Sequence, residues 1–250
     1  MNVAMATSAA APGRPNEDFV GTVPGAVVLL DGAGMTGIES ICGHGVAWYT
    51  HRLGGALLGL LSRDDGQDLV TILGSAIEQI AAVHRDTCDI TNPSSPQATA
   101  AIFRVAGDRA EYLVLADTFL VLGRAAAADP QVVTDEREVM VRELCGAVLD
   151  GVLAGTPEYD LAVKAYIERL RARRNRPGGY WIAKDDPSAA AESITGSCAA
   201  QDLDSVALLT NGAARIVSPY GLADWPGVVN LIDTLGPPEI IRRIRDREAS

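Results

Sequence analysis

Residues 26–37 read AVVLLDGAGMTG. The run AVVLL at 26–30 is continuously apolar, which is the pattern of a strand buried on both faces. It ends at Asp31 and a glycine-rich turn. Gly32-Ala33-Gly34-Met35-Thr36-Gly37 matches G-x-G-x-x-G after a strand. Such glycines let a backbone approach a pyrophosphate at a helix N-terminus. A dinucleotide-binding unit also needs a second parallel strand that ends in an acidic residue about twenty residues later. Here that region is GGALLGLL at 54–61, followed by Ser62-Arg63-Asp64 at the end of a helical pattern. The turn is therefore read as the end of a strand in some other kind of sheet.

Working outward, residues 19–23 form a short strand before this run. Residues 41–61 are helical, with apolar residues on most faces, so this helix is buried. A second helix spans 68–88, where Val70, Leu73, Ile77, Ile80 and Ala81 recur at helical spacing. The stretch NPSSP at 92–96 is a break. Two strand-like runs follow, TAAIFRVAG at 99–107 and AEYLVLADT at 110–118, joined at a Gly-Asp turn. FLVLGR at 119–124 and QVVTD at 131–135 continue the series. There is little room for crossover helices, so the sheets are expected to be antiparallel. Residues 137–179 are mostly helical, and 187–194 read as a short helix. SVALLT at 205–210 is a further buried strand. Helices over 225–235 and 238–248 close the chain, with Pro237 and Pro238 at the start of the last one. Segregated runs of strands and helices indicate a layered α+β domain.

The chain has 250 residues, of which 48% are hydrophobic, enough for a sizeable core. The formal net charge of -11 argues against nucleic-acid binding. No apolar run is long enough for a membrane helix, and residues 1–13 lack the basic and apolar regions of an export signal. They read as a flexible Ala-rich leader, residues 14–250 as one domain, and the protein as cytoplasmic. Cys42, Cys88, Cys145 and Cys198 form no C-x-x-C pair and read as reduced thiols. Cys42 and His44 sit two apart, but no second pair nearby completes a zinc-ligand spacing. No G-x-S-x-G motif is present, and His44, His51 and His84 pair with no nucleophile motif, so a serine- or cysteine-hydrolase mechanism has no support.

The chemistry-bearing residues are the acids at strand ends. Glu17 and Asp18 precede the first strand, Asp31 ends the second, and Asp117 follows YLVLA. Carboxylates gathered at one sheet edge suit hard divalent cations such as Mg²⁺ or Mn²⁺. Two such ions clamp a phosphate and activate a water for attack on phosphorus. Taken singly, each acid is as well explained by a cap on a strand or turn.

In order along the chain stand NEDF, VVLLDGAGM, SPQATAAIFRV, YLVLADTFLVLGR and VALLTNGAAR. This succession resembles the PPM-type (type 2C) metal-dependent protein serine/threonine phosphatases. Their pattern is an N-E-D segment, a strand ending in D-G, a G-S/T-A strand, a G-D-S turn and a strand ending in S/T-D-G. The resemblance spans residues 14–248. It implies a four-layer α-β-β-α sandwich, with two antiparallel sheets flanked by helices. It implies two Mn²⁺ or Mg²⁺ ions, with Asp31 bridging them and the Gly32 carbonyl as a further ligand. Glu17 and Asp18 would hold metal-bound waters, and Asp117 would bind an additional metal. Arg14 is the nearest candidate for the arginine that grips the substrate phosphate. The implied reaction is hydrolysis of phosphoserine or phosphothreonine in proteins by a metal-bound hydroxide, and the implied partner is a phosphoprotein.

Two departures stand against this pattern. The S/T-D-G position is Thr210-Asn211-Gly212, so Asn211 offers a neutral oxygen where the family has a carboxylate. The family's final strand, with one more metal-binding aspartate, is expected to be missing, and Asp246 on the last helix is a poor substitute. Asp202 and Asp204 are alternative ligands. These departures define a second reading, a catalytically inactive pseudophosphatase that binds and regulates a protein partner. The basic run of Arg169, Arg171, Arg173, Arg174 and Arg176 reads as a solvated helix end.

Overall fold

The computed structural model describes residues 1–34, 41–124, 127 and 129–249. Its two sheets are antiparallel throughout. Strands β1 (Phe19–Val23), β2 (Ala26–Ala33), β3 (Gln97–Ala106), β4 (Arg109–Leu115) and β7 (Ile194–Ala199) form one sheet in the order β1-β2-β3-β4-β7. Strands β5 (Phe119–Gly123), β6 (Gln131–Val133) and β8 (Ser205–Leu209) form the other, in the order β6-β5-β8.

Side-chain alternation along the strands builds four layers. From β2, Val28 and Leu30 pack against Leu53 and Leu57 of α1 (Gly45–Leu61) and against Leu73 and Ile77 of α2 (Leu69–Arg85). From the other face of the large sheet, Phe103 and Val114 meet Leu120 and Leu122 of β5. The outer face of the small sheet, with Val121 and Leu209, is covered by α6 (Trp225–Leu235) and α7 (Pro237–Glu248). This is the α-β-β-α sandwich that the motif order implies. Two further helices, α3 (Arg137–Gly146) and α4 (Pro157–Arg173), pack on each other through a smaller cluster of Val141, Cys145, Tyr166 and Tyr180.

Three local readings need correction. First, β2 does not end at Asp31. It runs on to Ala33, with Asp31, Gly32 and Ala33 opposite Thr99, Ala98 and Gln97 of β3. Both neighbours of β2 are antiparallel, which removes the dinucleotide-binding reading; residues 35–37 of its motif lie outside the described residues. Second, α1 begins at Gly45 rather than near residue 41, and α2 ends at Arg85 rather than 88. Third, the short helix over 187–194 is a 3₁₀ turn at Pro187–Glu192, and β7 starts at Ile194. Sequence reading missed β7 because it is an edge strand with only half-buried inward residues, ITGSCA, and so carries little apolar alternation.

Candidate metal centre

Four strand ends converge at one end of the sandwich. Asp31 lies on β2, and Thr99 faces it directly from β3. The turn at residues 116–118 carries the chain from β4 in the large sheet to β5 in the small one. Asp117 sits on this turn and is buried. Ala116 takes a left-handed backbone with φ 65°, and buried Thr118 donates from Oγ1 to the Ala100 carbonyl at 3.1 Å. Together these fix the direction of Asp117. Asn211 follows β8 as the first residue of a short helix, Asn211–Ala214, which Thr210 caps.

The segment before β1 closes the site. The Asp18 backbone N–H donates to Asn16 Oδ1 at 3.1 Å, and its carbonyl lies 3.2 Å from His51 Nε2 on α1. Asp18 and Asp31 share a hydrogen bond between their carboxyl groups. Gly32 is required here by close approach. A Cβ on it would overlap the Glu17 carbonyl oxygen and stand 2.6 Å from Thr50 Oγ1 and 2.7 Å from Val46 Cγ1. The absence of a side chain thus lets α1, β2 and the Glu17-Asp18 segment meet at one point.

Electrostatics register this crowding. Burial pushes the Asp31 carboxyl up to about 8, and the charges of Asp18, Asp117 and Glu138 push in the same direction. Burial also raises Asp18, against the hydrogen bond from Asp31 that lowers it. Glu138 is raised by burial and then by Asp117. The charges named as acting on Asp31 are those of other acids, so a cation beside it would favour its ionised form. A second observation points to the same place. Gln97 Oε1 and Thr99 Oγ1 are buried without a hydrogen-bond partner. They stand on the Asp31 face of β3, so orphaned oxygens flank the acid cluster. Oxygen donors are the kind Mg²⁺ and Mn²⁺ take, but among the described residues these acids do not draw together into a close ligand group.

The residues singled out in the sequence separate into two groups. Asp18, Asp31, Gly32, Asp117 and Asn211 come together. Asn211 Nδ2 donates to Asp117 Oδ2 at 2.7 Å, so its amide addresses the neighbouring acid. Glu17 and Arg14 are exposed and line the same cleft as Asp18 and Asp31. Asp202 and Asp204 precede β8, whereas Asn211 follows it, so these two lie at the far end of that strand from Asn211. Asp246 is held on α7 by Arg242 at 2.6 Å.

Glu138 was missed by sequence reading. It sits in the first turn of α3, where an acid is ordinary, and only the fold shows it to be buried beside Asp117. Arg142, one turn later, donates to its Oε1 at 2.6 Å. The basic run is also more than a solvated helix end. Arg174 donates to the Tyr180 hydroxyl at 3.0 Å and to the Pro93 carbonyl at 2.5 Å, and its charge acts on Glu138.

All four cysteines are free thiols, as read from the sequence, but a second constellation involves two of them. The pair that Cys42 and His44 lacked is His84 and Cys88, at the far end of α2. The four ligand atoms lie within 4.8 Å of one another. The signal present in sequence is C-x-H followed much later by H-x-x-x-C, and only the pairing of α1 with α2 joins the halves.

No protein-family model matches the sequence, and no curated protein does. Solved structures do match. The S. agalactiae serine/threonine phosphatase is 14% identical, with a TM-score of 0.57 over 96% of this chain and 90% of that one. The serine/threonine phosphatase Stp1 from Staphylococcus aureus is 15% identical, with a TM-score of 0.55 over 97% and 88%. The Mycobacterium tuberculosis serine/threonine phosphatase PstP/Ppp is 14% identical, with a TM-score of 0.52 over 96% and 88%. Among the described residues no helix is long and apolar enough to cross a membrane. The chain therefore has the fold of the bacterial PPM-type serine/threonine phosphatases.

Proposed function

We propose that this chain is a divalent-metal-dependent phosphatase of phosphoserine or phosphothreonine in proteins. The observation that carries the reading is that the charges of Asp18, Asp117 and Glu138 all bear on Asp31, whose strand partner Thr99 and the nearby Gln97 carry buried, partnerless oxygens. A bound Mn²⁺ or Mg²⁺ ion would neutralise phosphoryl oxygens and make a water acidic enough to attack phosphorus. Asp31 and Asp18, with the Gly32 carbonyl, are the residues to hold it. Glu17, exposed at the rim, orders water at the mouth. Arg14, on the same cleft, meets the incoming phosphate. Asp117 is buried and Asp31 half-buried, which limits how far bulk water screens their charges.

One observation favours a second reading, a pseudophosphatase that binds and regulates a protein partner. The Asn211 amide satisfies Asp117 by direct hydrogen bonding, which lowers the demand for a further cation at that side. The deciding experiment is calorimetric titration with Mn²⁺ and Mg²⁺, with phosphopeptide hydrolysis followed on the same sample. Binding with turnover that Asp31→Ala abolishes supports the enzyme. Binding of neither ion, with no turnover, supports the regulatory role.

A further inference from the structure

Outside the carboxylate cluster, the α1–α2 helix pair carries a constellation that the phosphatase reading does not use. Cys42 and His44 stand just before α1, and His84 and Cys88 stand at and just after the end of α2. Cys42 Sγ lies 3.1 Å from His84 Nε2, and Cys88 Sγ lies 3.3 Å from His44 Nδ1. All four ligand atoms fall within 4.8 Å of one another. A tetrahedral zinc with Zn–S of about 2.3 Å and Zn–N of about 2.1 Å separates its ligand atoms by about 3.4–3.8 Å. To admit that ion the two contacts at 3.1 and 3.3 Å open by about 0.3–0.5 Å, and the widest separation, at most 4.8 Å, closes by about 1 Å.

The surroundings are those of a held ligand set. Cys42 and His84 are buried, and Cys88 and His44 are open enough to give an entry path. The His44 ring stacks on Trp48 with centroids 4.2 Å apart, and His84 sits 5.2 Å from the same indole. These contacts fix both imidazole planes.

We propose that Cys42, His44, His84 and Cys88 form a structural Cys₂His₂ zinc site that ties the start of α1 to the end of α2. Four protein ligands leave no open position, so the site is closed to substrate. Its soft nitrogen and sulfur donors select zinc, whereas the oxygen donors around Asp31 select Mg²⁺ or Mn²⁺. The proposal stands apart from the phosphatase reading and survives its failure. Ligand binding deprotonates both thiols, so each zinc bound releases up to two protons to solvent.

The test is zinc content by plasma mass spectrometry on the full chain, purified under reducing conditions from zinc-supplemented cells. The expected result is one zinc per chain that persists in excess Mg²⁺. Cobalt substitution should give thiolate-to-metal charge transfer and the intense visible bands of a tetrahedral ion. In the wild-type chain, two of four thiols should resist a thiol reagent until a strong chelator is added. Cys42→Ser/Cys88→Ser should lose the zinc. If that variant does not fold, the cobalt spectrum and the thiol count of the wild-type chain still decide. Absence of zinc after reconstitution, a cobalt spectrum without thiolate bands, or a Cys42–Cys88 disulfide in place of metal would each overturn the assignment.

Discussion

The Asn211 side-chain amide donates to the Asp117 carboxylate across the gap between the two sheets, at 2.7 Å. The position where the S/T-D-G pattern would place an aspartate thus holds a hydrogen-bond donor. An amide beside an acid stabilises it without a metal, and a second acid there does so only with one. Asn211→Asp should therefore act in opposite directions in two buffers. In chelator it should lower stability by about 1–2 kcal/mol, because a donor is replaced by a like charge. With millimolar Mn²⁺ the loss should shrink or reverse, and Mn²⁺ affinity should rise. Thermal denaturation with and without Mn²⁺ reads both. An equal loss in the two buffers would place residue 211 away from any bound ion.

Asp31 sets a pH dependence. Its ordinary value is 3.8 and the fold raises it to about 8, chiefly by burial. Between those limits the folded chain keeps a proton that the unfolded chain has released. The contribution of Asp31 to stability in the absence of metal is therefore fully present below about pH 4, falls as pH rises through the window, and is gone above about pH 8. Urea denaturation in chelator across this range should show that slope. Asp31→Asn should flatten it, since the amide cannot ionise. Divalent ions must displace the same proton, so Mn²⁺ affinity should climb with pH up to about 8.

The layers were legible in the sequence because long strands buried on one or both faces carry strong apolar runs, as at residues 26–30 and 99–105. The acids at their ends were legible as a set because the strands that hold them recur in a fixed order. What escaped depended on tertiary approach. Glu138 looks like any acid in a first helical turn until α3 is seen against Asp117. His84 is separated by 42 positions from Cys42, and no local spacing announces that α2 returns to the start of α1. β7 was lost because its half-polar, edge-strand pattern lacks the alternation by which strands are read.

Gly32 offers a test of the packing beneath the site. An added methyl group would meet the Glu17 carbonyl, a backbone atom fixed by the Asp18 contacts, as well as Thr50 and Val46. No flexible side chain can yield on all three sides. Gly32→Ala should cost about 2 kcal/mol of stability, in the range of overpacked cores. It should also weaken Mn²⁺ binding, because relief of the clash moves Glu17 and Asp18 away from Asp31. Wild-type stability together with wild-type Mn²⁺ affinity would show that the segment before β1 is free to shift without disturbing the acids.

Ala116 makes the reverse prediction. Its φ of 65° lies in the left-handed region, which costs a residue with a Cβ about 1–2 kcal/mol. Here the strain is held by the buried Thr118 hydrogen bond to Ala100 and by β4 and β5 on either side. Ala116→Gly removes the steric cost and adds about 0.5–1 kcal/mol of unfolded-chain entropy, so a net gain of about 0.5–1 kcal/mol is expected. Ala116→Val should lose about 2 kcal/mol or more, because a branched Cβ is least tolerated at positive φ. Chemical denaturation of the pair gives the sign of each change. A stabilised valine variant would mean that the turn relaxes out of the left-handed region, and with it the aim of Asp117 toward Asn211.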